Sequence, residues 1–410
     1  MNMRKHWILA PLLASTLLLS CTVAAQGNAT SQDEDDVISM VPFQPGLEEG
    51  GGRRRRIAME QYFSKNPPSL QIYQDYPKLD GAEALIPIYA TAAKAIYQKN
   101  EALIEALTAV EAHEKVAEAR QELFKTLDSY ITSQVFERDE KKAREVHEAL
   151  EEAEKVYEKV HEEVGATLYP GKDIKNTPEK AVKFSKTSPA AYKALIDGEA
   201  DMIFALAPSE EQIKEAAQKK LTFTITPIAK EAFVFLVNEQ NPVKKLSIKH
   251  IRDIYSGKIN DWQKVGGTPG KILAFQRNEG SGSQTAMLRN VMRGTPMRKP
   301  LKIEFKSAMG QIIRAVGSYR NLDHAIGYSF RYYATVMNSI PGIRLLVVDN
   351  VAPTVKNIRN GTYPFTEDFC IVTARPLSEN AKKLHDWFLS DEGQQFIEEV
   401  GYVPIKSGSR

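Results

Sequence analysis

The sequence predicts an α/β protein of open, mostly parallel sheets, with a separate antiparallel helical hairpin and an export leader in front. Three observations predict it. After Pro170, apolar strand-like runs alternate with helical ones. From Glu101 to Val164 a helical period runs without Pro or Gly until Gly165. Ahead of both, residues 1–21 have the charge and apolar pattern of a secretory signal rather than of a folded element.

The leader starts with Arg4, Lys5 and His6, followed by an apolar run from Trp7 to Leu19 broken only by Pro11, Ser15 and Thr16. Roughly 13 apolar positions are too few for a bilayer, which takes ~20. Leu18-Leu19-Ser20-Cys21 resembles the lipobox of bacterial lipoproteins, which implies a membrane anchor through lipidated Cys21. A cut after Ala25 would instead release a soluble periplasmic protein. Either way the mature protein works outside the cytoplasmic membrane. Of the 2 cysteines, Cys370 is then left without a disulfide partner, so stability must come from a core.

Residues 22–70 have the composition of a disordered tether, with SQDEDD and GLEEGGGRRRR and few aliphatics. Arg53–Arg56 either touches anionic headgroups, at ~1 kcal/mol per basic residue near such a surface, or is a solvated charge run. With 54 basic against 52 acidic residues, bulk charge makes no case for nucleic acid as a partner.

The hairpin is predicted over residues 101–164. Ala143, Val146, Leu150, Ala153, Tyr157, Val160 and Val164 follow a 3-4 spacing, and Leu103, Val110, Ala117 and Phe124 recur every seven residues. Two antiparallel helices joined at SQVFERDE would bury that seam. His113, His147 and His161 fall on the hairpin and read as exposed helix residues. It is either a tolerated surface insertion or a surface for a protein partner.

The α/β part offers the strands AVKFSK, ADMIFALA, FTITPI, EAFVFLVN, KILAFQ, HAIGYSF, IRLLVVD and FCIVTA. Helical runs lie between them, several opening on cap residues such as Ser209 and Ser378. Open sheets of this kind bind ligands at strand ends beside helix N-termini. The stretch FQRNEGSGSQTAM is such a place. Ser281-Gly282-Ser283 occupies a strand-to-helix turn where free N–H groups and the helix dipole favour an anion. Arg277 adds a planar fork of donors matched to two oxygens. Thr187-Ser188-Pro189 and Asp80-Gly81-Ala82 are two further turns of small or hydroxyl residues opening helices.

Together LDGAEALIPIY, KTSPAAYKALIDGEADMIFALAPS, IRDIYSGKINDW, FQRNEGSGSQTAM and AIGYSFRYYA resemble the phosphate-binding proteins of bacterial phosphate ABC importers. The resemblance covers about Pro77–Asn100 and Asn176–Pro404. It implies a type II periplasmic-binding-protein fold: two α/β lobes joined by two crossings, closing on a small oxyanion and delivering it to an ABC permease. Lobe 1 would hold residues 77–229 and 363–404, interrupted by the hairpin at 101–164. Lobe 2 would hold residues 230–362.

Carried over by position, the resemblance implies an anion site of the Leu85 and Ile86 backbone N–H groups, Ser188, Arg277, Ser281, Gly282 and Ser283. Glu279 would steady Arg277. One departure matters. Where the family places an aspartate that accepts a hydrogen bond from protonated phosphate and repels sulfate, this chain has Leu206. Losing a charge-assisted hydrogen bond of about 1.5–3 kcal/mol would cost tenfold or more in affinity. Glu83, in the first turn, either complements the helix dipole or supplies the missing acceptor.

No zinc spacing, Walker loop or dinucleotide fingerprint appears, and no motif places a histidine to activate Ser281. The sequence therefore predicts neither enzyme activity nor a cofactor nor a metal. Leu206 and the hairpin keep a second reading open: a sensor or scaffold lipoprotein that retained the fold but lost transport or phosphate selectivity.

Overall fold

The computed structural model of this 410-residue chain describes residue 63 and residues 66–132, 140–170, 176–185, 187–279, 281–301, 310–317, 324–337 and 339–406. The leader, the lipobox and the Arg53–Arg56 run lie outside the described residues. The chain divides into two compact units. One contains Ile72–Tyr76 and Tyr97–Ala181, the other Pro77–Ile96 and Val182 onward. Among the described residues, no helix is long and apolar enough to cross a membrane.

The end of the segment expected to be a tether packs instead. The Phe63 ring lies 5.0 Å from Phe396. The Ser69 backbone N–H donates to Glu392 at 2.7 Å, and Trp387 Nε1 donates to the same carboxylate at 2.8 Å. The Glu392 carboxylate thus fixes the chain where its polar composition predicts nothing.

Among the described residues, the helical unit is built from three helices and the loops around them. Helix α1 (Ile86–Ile96) belongs to the other unit; α2 (Glu101–Ala112), α3 (Glu114–Ile131) and α4 (Glu140–Leu168) form this one. The predicted first helix is broken at His113, which is extended (φ −70°, ψ 134°) and whose Nδ1 accepts from Lys115 N–H at 3.3 Å, capping α3. The break shifts the seam by one residue. Val116 and Leu123 are buried rather than Ala117 and Phe124, and they join Val110, Leu150, Tyr157 and Val164 in the core. His161, read as exposed, is also buried, because its spacing from Tyr157 puts it on the seam. Its Nε2 lies 3.4 Å from Glu111 Oε1, to which Tyr157 Oη donates at 2.6 Å.

The other unit is organised around one sheet. Its strands are β1 (Leu79–Gly81), β2 (Met202–Ala205), β3 (Thr224–Asn238), β5 (Leu273–Ala274), β6 (Ala325–Phe330), β7 (Ile343–Leu345), β9 (Thr366–Thr373) and β10 (Val403–Pro404). A separate parallel pair joins β4 (Lys245–Leu246) to β8 (Val347–Val348). The main order is β1-β2-β9-β3-β6-β5, with β7 and β10 also on β3. Among the described residues, the parallel strand pairs of this sheet are β1·β2 and β5·β6, whereas β6, β7, β9 and β10 all run antiparallel to β3. The mostly parallel expectation fails because FTITPI and EAFVFLVN are one 15-residue strand. A bulge between Pro227 and Ala229 accommodates the missing proline N–H.

Strand β3 changes partner along its length. Thr224–Ala232 pairs with β9, whereas Phe233–Val237 pairs with β6. The two halves of the sheet are thereby joined through β3, as in a type II periplasmic-binding fold of two α/β lobes. At the changeover Glu231 is fully buried and accepts from Arg331 Nε at 3.2 Å and from Tyr332 N–H at 3.3 Å. Burial pushes its carboxyl up from the usual glutamate range, and the Arg331 charge opposes that.

Candidate anion site

Three turns meet at one cavity. The first follows β1. A Cβ on Gly81 would lie 2.7 Å from both the Phe204 carbonyl and the Tyr89 ring, so glycine lets β1 sit tightly on β2. The chain then makes a 3-10 turn, Glu83–Leu85. The Leu85 N–H donates to Ala82 O at 2.9 Å, and the Ile86 N–H donates to Glu83 O. The two amides expected to bind an anion are thus spent within the turn, and Ile86 does not line the cavity. A tighter 3-10 turn closes its bonds one residue earlier than an α-helix does. Glu83 and Ala84, ahead of them, face the cavity together with Leu85. Tyr402 Oη donates to the Ala84 carbonyl at 2.6 Å and holds the turn from behind.

The second turn opens α5 (Ser188–Asp197). Asp80, at the end of β1, accepts from Ser185 N–H at 2.7 Å and from the Ser185 hydroxyl, tying the two turns together. Burial pushes the Asp80 carboxyl up, and the bonds from Ser185 and Gly81 pull it down. Thr187 caps the helix by accepting from Ala190 N–H at 3.4 Å, and proline stands in the first turn. At the far end Arg375 donates to the Leu195 and Ile196 carbonyls at 2.6 and 2.7 Å, complementing the dipole whose positive end faces the cavity.

The third turn lies between β5 and a helical run that begins as α8 (Gly282–Ala286) and continues as a π-helix, Met287–Met292. Ser281 is its cap, accepting from Gln284 N–H at 3.2 Å. Gly282 and Ser283, the first two helical residues, have no intrahelical acceptor for their N–H groups. The Arg277 N–H donates to Tyr328 Oη at 2.9 Å and to Gln284 Oε1 at 3.2 Å, and Tyr328 Oη itself donates to Gln284. These bonds fix the backbone from which the guanidinium projects.

The turns face one another. A Cβ on Gly282 would come within 2.8 Å of Ser188 Oγ and 3.1 Å of Leu206 Cδ1. Between them lies a cavity of about 40 Å³ that Arg277, Leu206 and Phe330 help to line. Arg277 and Glu83 are its two charged side chains. Both are largely buried, at 9% and 7% exposure. Burial pulls the Arg277 pKa down while the Glu83 carboxylate pushes it back up. A guanidinium starts so high that it remains a cation at neutral pH.

Of the residues singled out by sequence, Glu83, Leu85, Ser188, Arg277, Ser281, Gly282 and Ser283 share this cavity, and Leu206 joins them. Glu279 does not. It is exposed, because the chain turns outward at Asn278–Glu279 before Ser281 N–H closes the loop on Asn278 O at 3.3 Å. The carboxylate that acts on Arg277 is Glu83. Nothing in the sequence singles out Phe330, Gln284 or Tyr402 for this site, since a side chain that lines or buttresses a cavity has no spacing of its own. Among the described residues, no group of three or more His, Cys, Asp or Glu is arranged to hold a metal.

Two lobes around a cleft of helix N-termini define a solute-binding class of protein. The chain belongs to the PBP superfamily, whose domain profile matches residues 172–392. It is similar to phosphate-binding protein PstS of Borreliella burgdorferi, 25% identical over 205 residues, covering 48% of this chain and 70% of the relative. A second PstS, from Bacillus subtilis, is 26% identical over 170 residues, covering 41% of this chain and 53% of the relative. The chain thus spans between about half and 70% of these two relatives. Among solved structures, one from Clostridium perfringens with bound phosphate aligns at 25% identity and a TM-score of 0.46, over 60% of this chain and 92% of that one.

Proposed function

We propose that this chain is an extracytoplasmic solute-binding lipoprotein that captures inorganic phosphate, or a closely similar oxyanion, and hands it to an ABC permease. One observation carries the reading. Three turns from separate parts of the chain, with a buried arginine, converge on a single small cavity. The names of the relatives agree with it. The donors are the Ala84, Gly282 and Ser283 amides, the Ser188, Ser281 and Ser283 hydroxyls and the Arg277 guanidinium. Ser281 Oγ accepts from the backbone, which leaves its own proton for the ligand.

In this reading residues 1–21 are cleaved and lipidated Cys21 anchors the protein to the membrane. Residues 77–229 with 363–404 and residues 230–362 are the two lobes. Ala84 and Ser188 come from the first, Arg277 and Ser281–Ser283 from the second, so neither lobe alone completes the donor set. Burying the anion then requires closure, which lets a permease distinguish loaded from empty protein. In this reading the site binds without chemistry: among the described residues that line the cavity, no histidine stands beside Ser281 to activate it as a nucleophile.

Calorimetric titration of the purified full chain tests this. Submicromolar phosphate binding with weaker sulfate binding is the expected result, and Arg277→Ala should weaken it at least 100-fold. A hydrogen bond to a charged group is worth about 1.5–3 kcal/mol and a guanidinium fork can make two to one anion, so about 3 kcal/mol or more of binding is at stake. No heat with any oxyanion would refute the transport reading and favour a sensor or scaffold.

A further inference from the structure

The helical run that begins at Ser281 is held at its far end by a contact outside the cavity. Arg289 Nη2 donates to Glu367 Oε2 at 2.6 Å, and Asn290 Nδ2 donates to the other carboxylate oxygen. The Glu367 side chain is 4% exposed and that of Arg289 41%, so donors reach inward from the surface to a buried acceptor. From helix α7 (Ile248–Ser256), Arg252 Nε adds a bond to the Val291 carbonyl at 2.5 Å. Glu367 is the second residue of β9 and stands in register with Glu231, beside the point where β3 exchanges β9 for β6. Neither Arg289, Asn290 nor Glu367 lines the cavity.

We propose that Glu367 is a positioning residue for the anion helix: through Arg289 and Asn290 it ties the far end of the helix to β9 and so sets the Gly282 and Ser283 amides opposite Ser188. The proposal rests on the anion-site reading above. Its logic is geometric. The helical run follows β5, in the half of the sheet that pairs through β6, whereas β9 belongs to the other half. The bond therefore exists only while the two halves hold this relation, which is also the relation that brings Gly282 against Ser188. Whatever the contact contributes raises the population of the binding-competent arrangement, and apparent affinity scales with that population. Bonds to a carboxylate are among the strong ones, and this carboxylate has little access to water as a substitute. Burial pushes its pKa up and Arg289 counters that, as a dependent pair should behave.

The test uses the full chain and four variants: Arg289→Met, Asn290→Ala, Glu367→Gln and the Arg289→Met/Glu367→Gln double. For phosphate, the Kd should rise tenfold or more in Arg289→Met and in Glu367→Gln, and a few-fold in Asn290→Ala. The double variant should be no worse than the worse single. In ligand-free protein, amide exchange across Thr285–Met292 should speed up at least tenfold in Arg289→Met. A phosphate Kd for Arg289→Met within twofold of wild type overturns the proposal. So does an Arg289→Met penalty that persists undiminished in the Glu367→Gln background, or an unchanged exchange rate. If Glu367→Gln fails to fold, the half-exposed Arg289→Met still decides. Wild-type protein that binds no phosphate refutes the reading of the site instead, and the exchange rates then judge the positioning claim alone.

Discussion

Glu83→Gln should change which anion the cavity prefers. The cavity is lined by one cation and one carboxylate, so its side chains sum to no net charge. A fully deprotonated dianion held by Arg277 and the helix amides then meets a negative neighbour. Two unit charges about 4 Å apart at an effective dielectric of about 20 interact by ~4 kcal/mol, which is a ceiling for the repulsion that Glu83 exerts. Water reaching the cavity reduces it, and tenfold in Kd corresponds to about 1.4 kcal/mol. Removing the charge should therefore tighten sulfate binding by roughly 10- to 100-fold. Phosphate with a proton can instead donate to Glu83, a bond of about 1.5–3 kcal/mol when the acceptor is charged. Glutamine still accepts but without the charge, so phosphate should weaken by less than tenfold. The assay is paired calorimetric titration with phosphate and sulfate at one pH near neutrality. An unchanged ratio of the two dissociation constants refutes the argument. Equal tightening of both would show that Glu83 is only a charged neighbour of Arg277 and does not sense the proton.

Three further outcomes follow from the same geometry. Gly282→Ala would bring a methyl within 2.8 Å of Ser188 Oγ, forcing that hydroxyl out of the cavity; phosphate Kd should rise at least tenfold with little change in melting temperature, and unchanged binding would contradict the facing of the two turns. Tyr402→Phe removes the bond to the Ala84 carbonyl and should weaken phosphate binding severalfold, while Tyr332→Phe, which removes a bond to Val400 O, should not. In the helical unit, burial alone would raise the Glu111 pKa, but bonds from His161 and Tyr157 and the Arg120 charge bring it below the ordinary 4.5. A depressed carboxyl stabilises the folded state above its unfolded value and loses that contribution as pH falls through the folded one. Circular dichroism of the full chain in acid should thus show wild type losing helix stability below about pH 4.5 more steeply than Glu111→Gln, and equal slopes would refute the assignment.

Much of the fold was legible because its signals are local. Caps at Ser209 and Ser378 mark helix starts that the structure reproduces, since a side-chain oxygen and a free N–H three residues on are set by sequence alone. The period over α4 placed Leu150, Tyr157 and Val164 correctly for the same reason. What failed depends on distant partners. Among its described residues, AVKFSK forms an isolated bridge, from Val182 to Leu79, rather than a strand. The direction of β3 against its neighbours is invisible in its own residues. His113 breaks a helix that lacks Pro and Gly, by capping the next one with its ring nitrogen, an unusual use that no composition rule flags.

The site divides along the same line. Residues that bind through backbone geometry announce themselves, since glycine, serine and proline at a helix start are few enough to be read together. The charge that balances them does not. Glu279 stands two residues from Arg277 in sequence and was the natural partner, yet it is exposed. Glu83, far away in the chain, is the carboxylate that acts on the guanidinium. Proximity in sequence predicts side-chain pairing only on a regular element, where spacing fixes direction. Across a turn such as Arg277–Ser281 each residue points its own way, and the pairing is decided by which strand ends the sheet order brings together. Here that order sets β1 beside β2 at one end of the sheet and β5 beside β6 at the other, joined through β9 and β3. The turn after β1 and the turn after β5 line one cavity, so the influence of the Glu83 charge on Arg277 is itself a consequence of topology and not of motif.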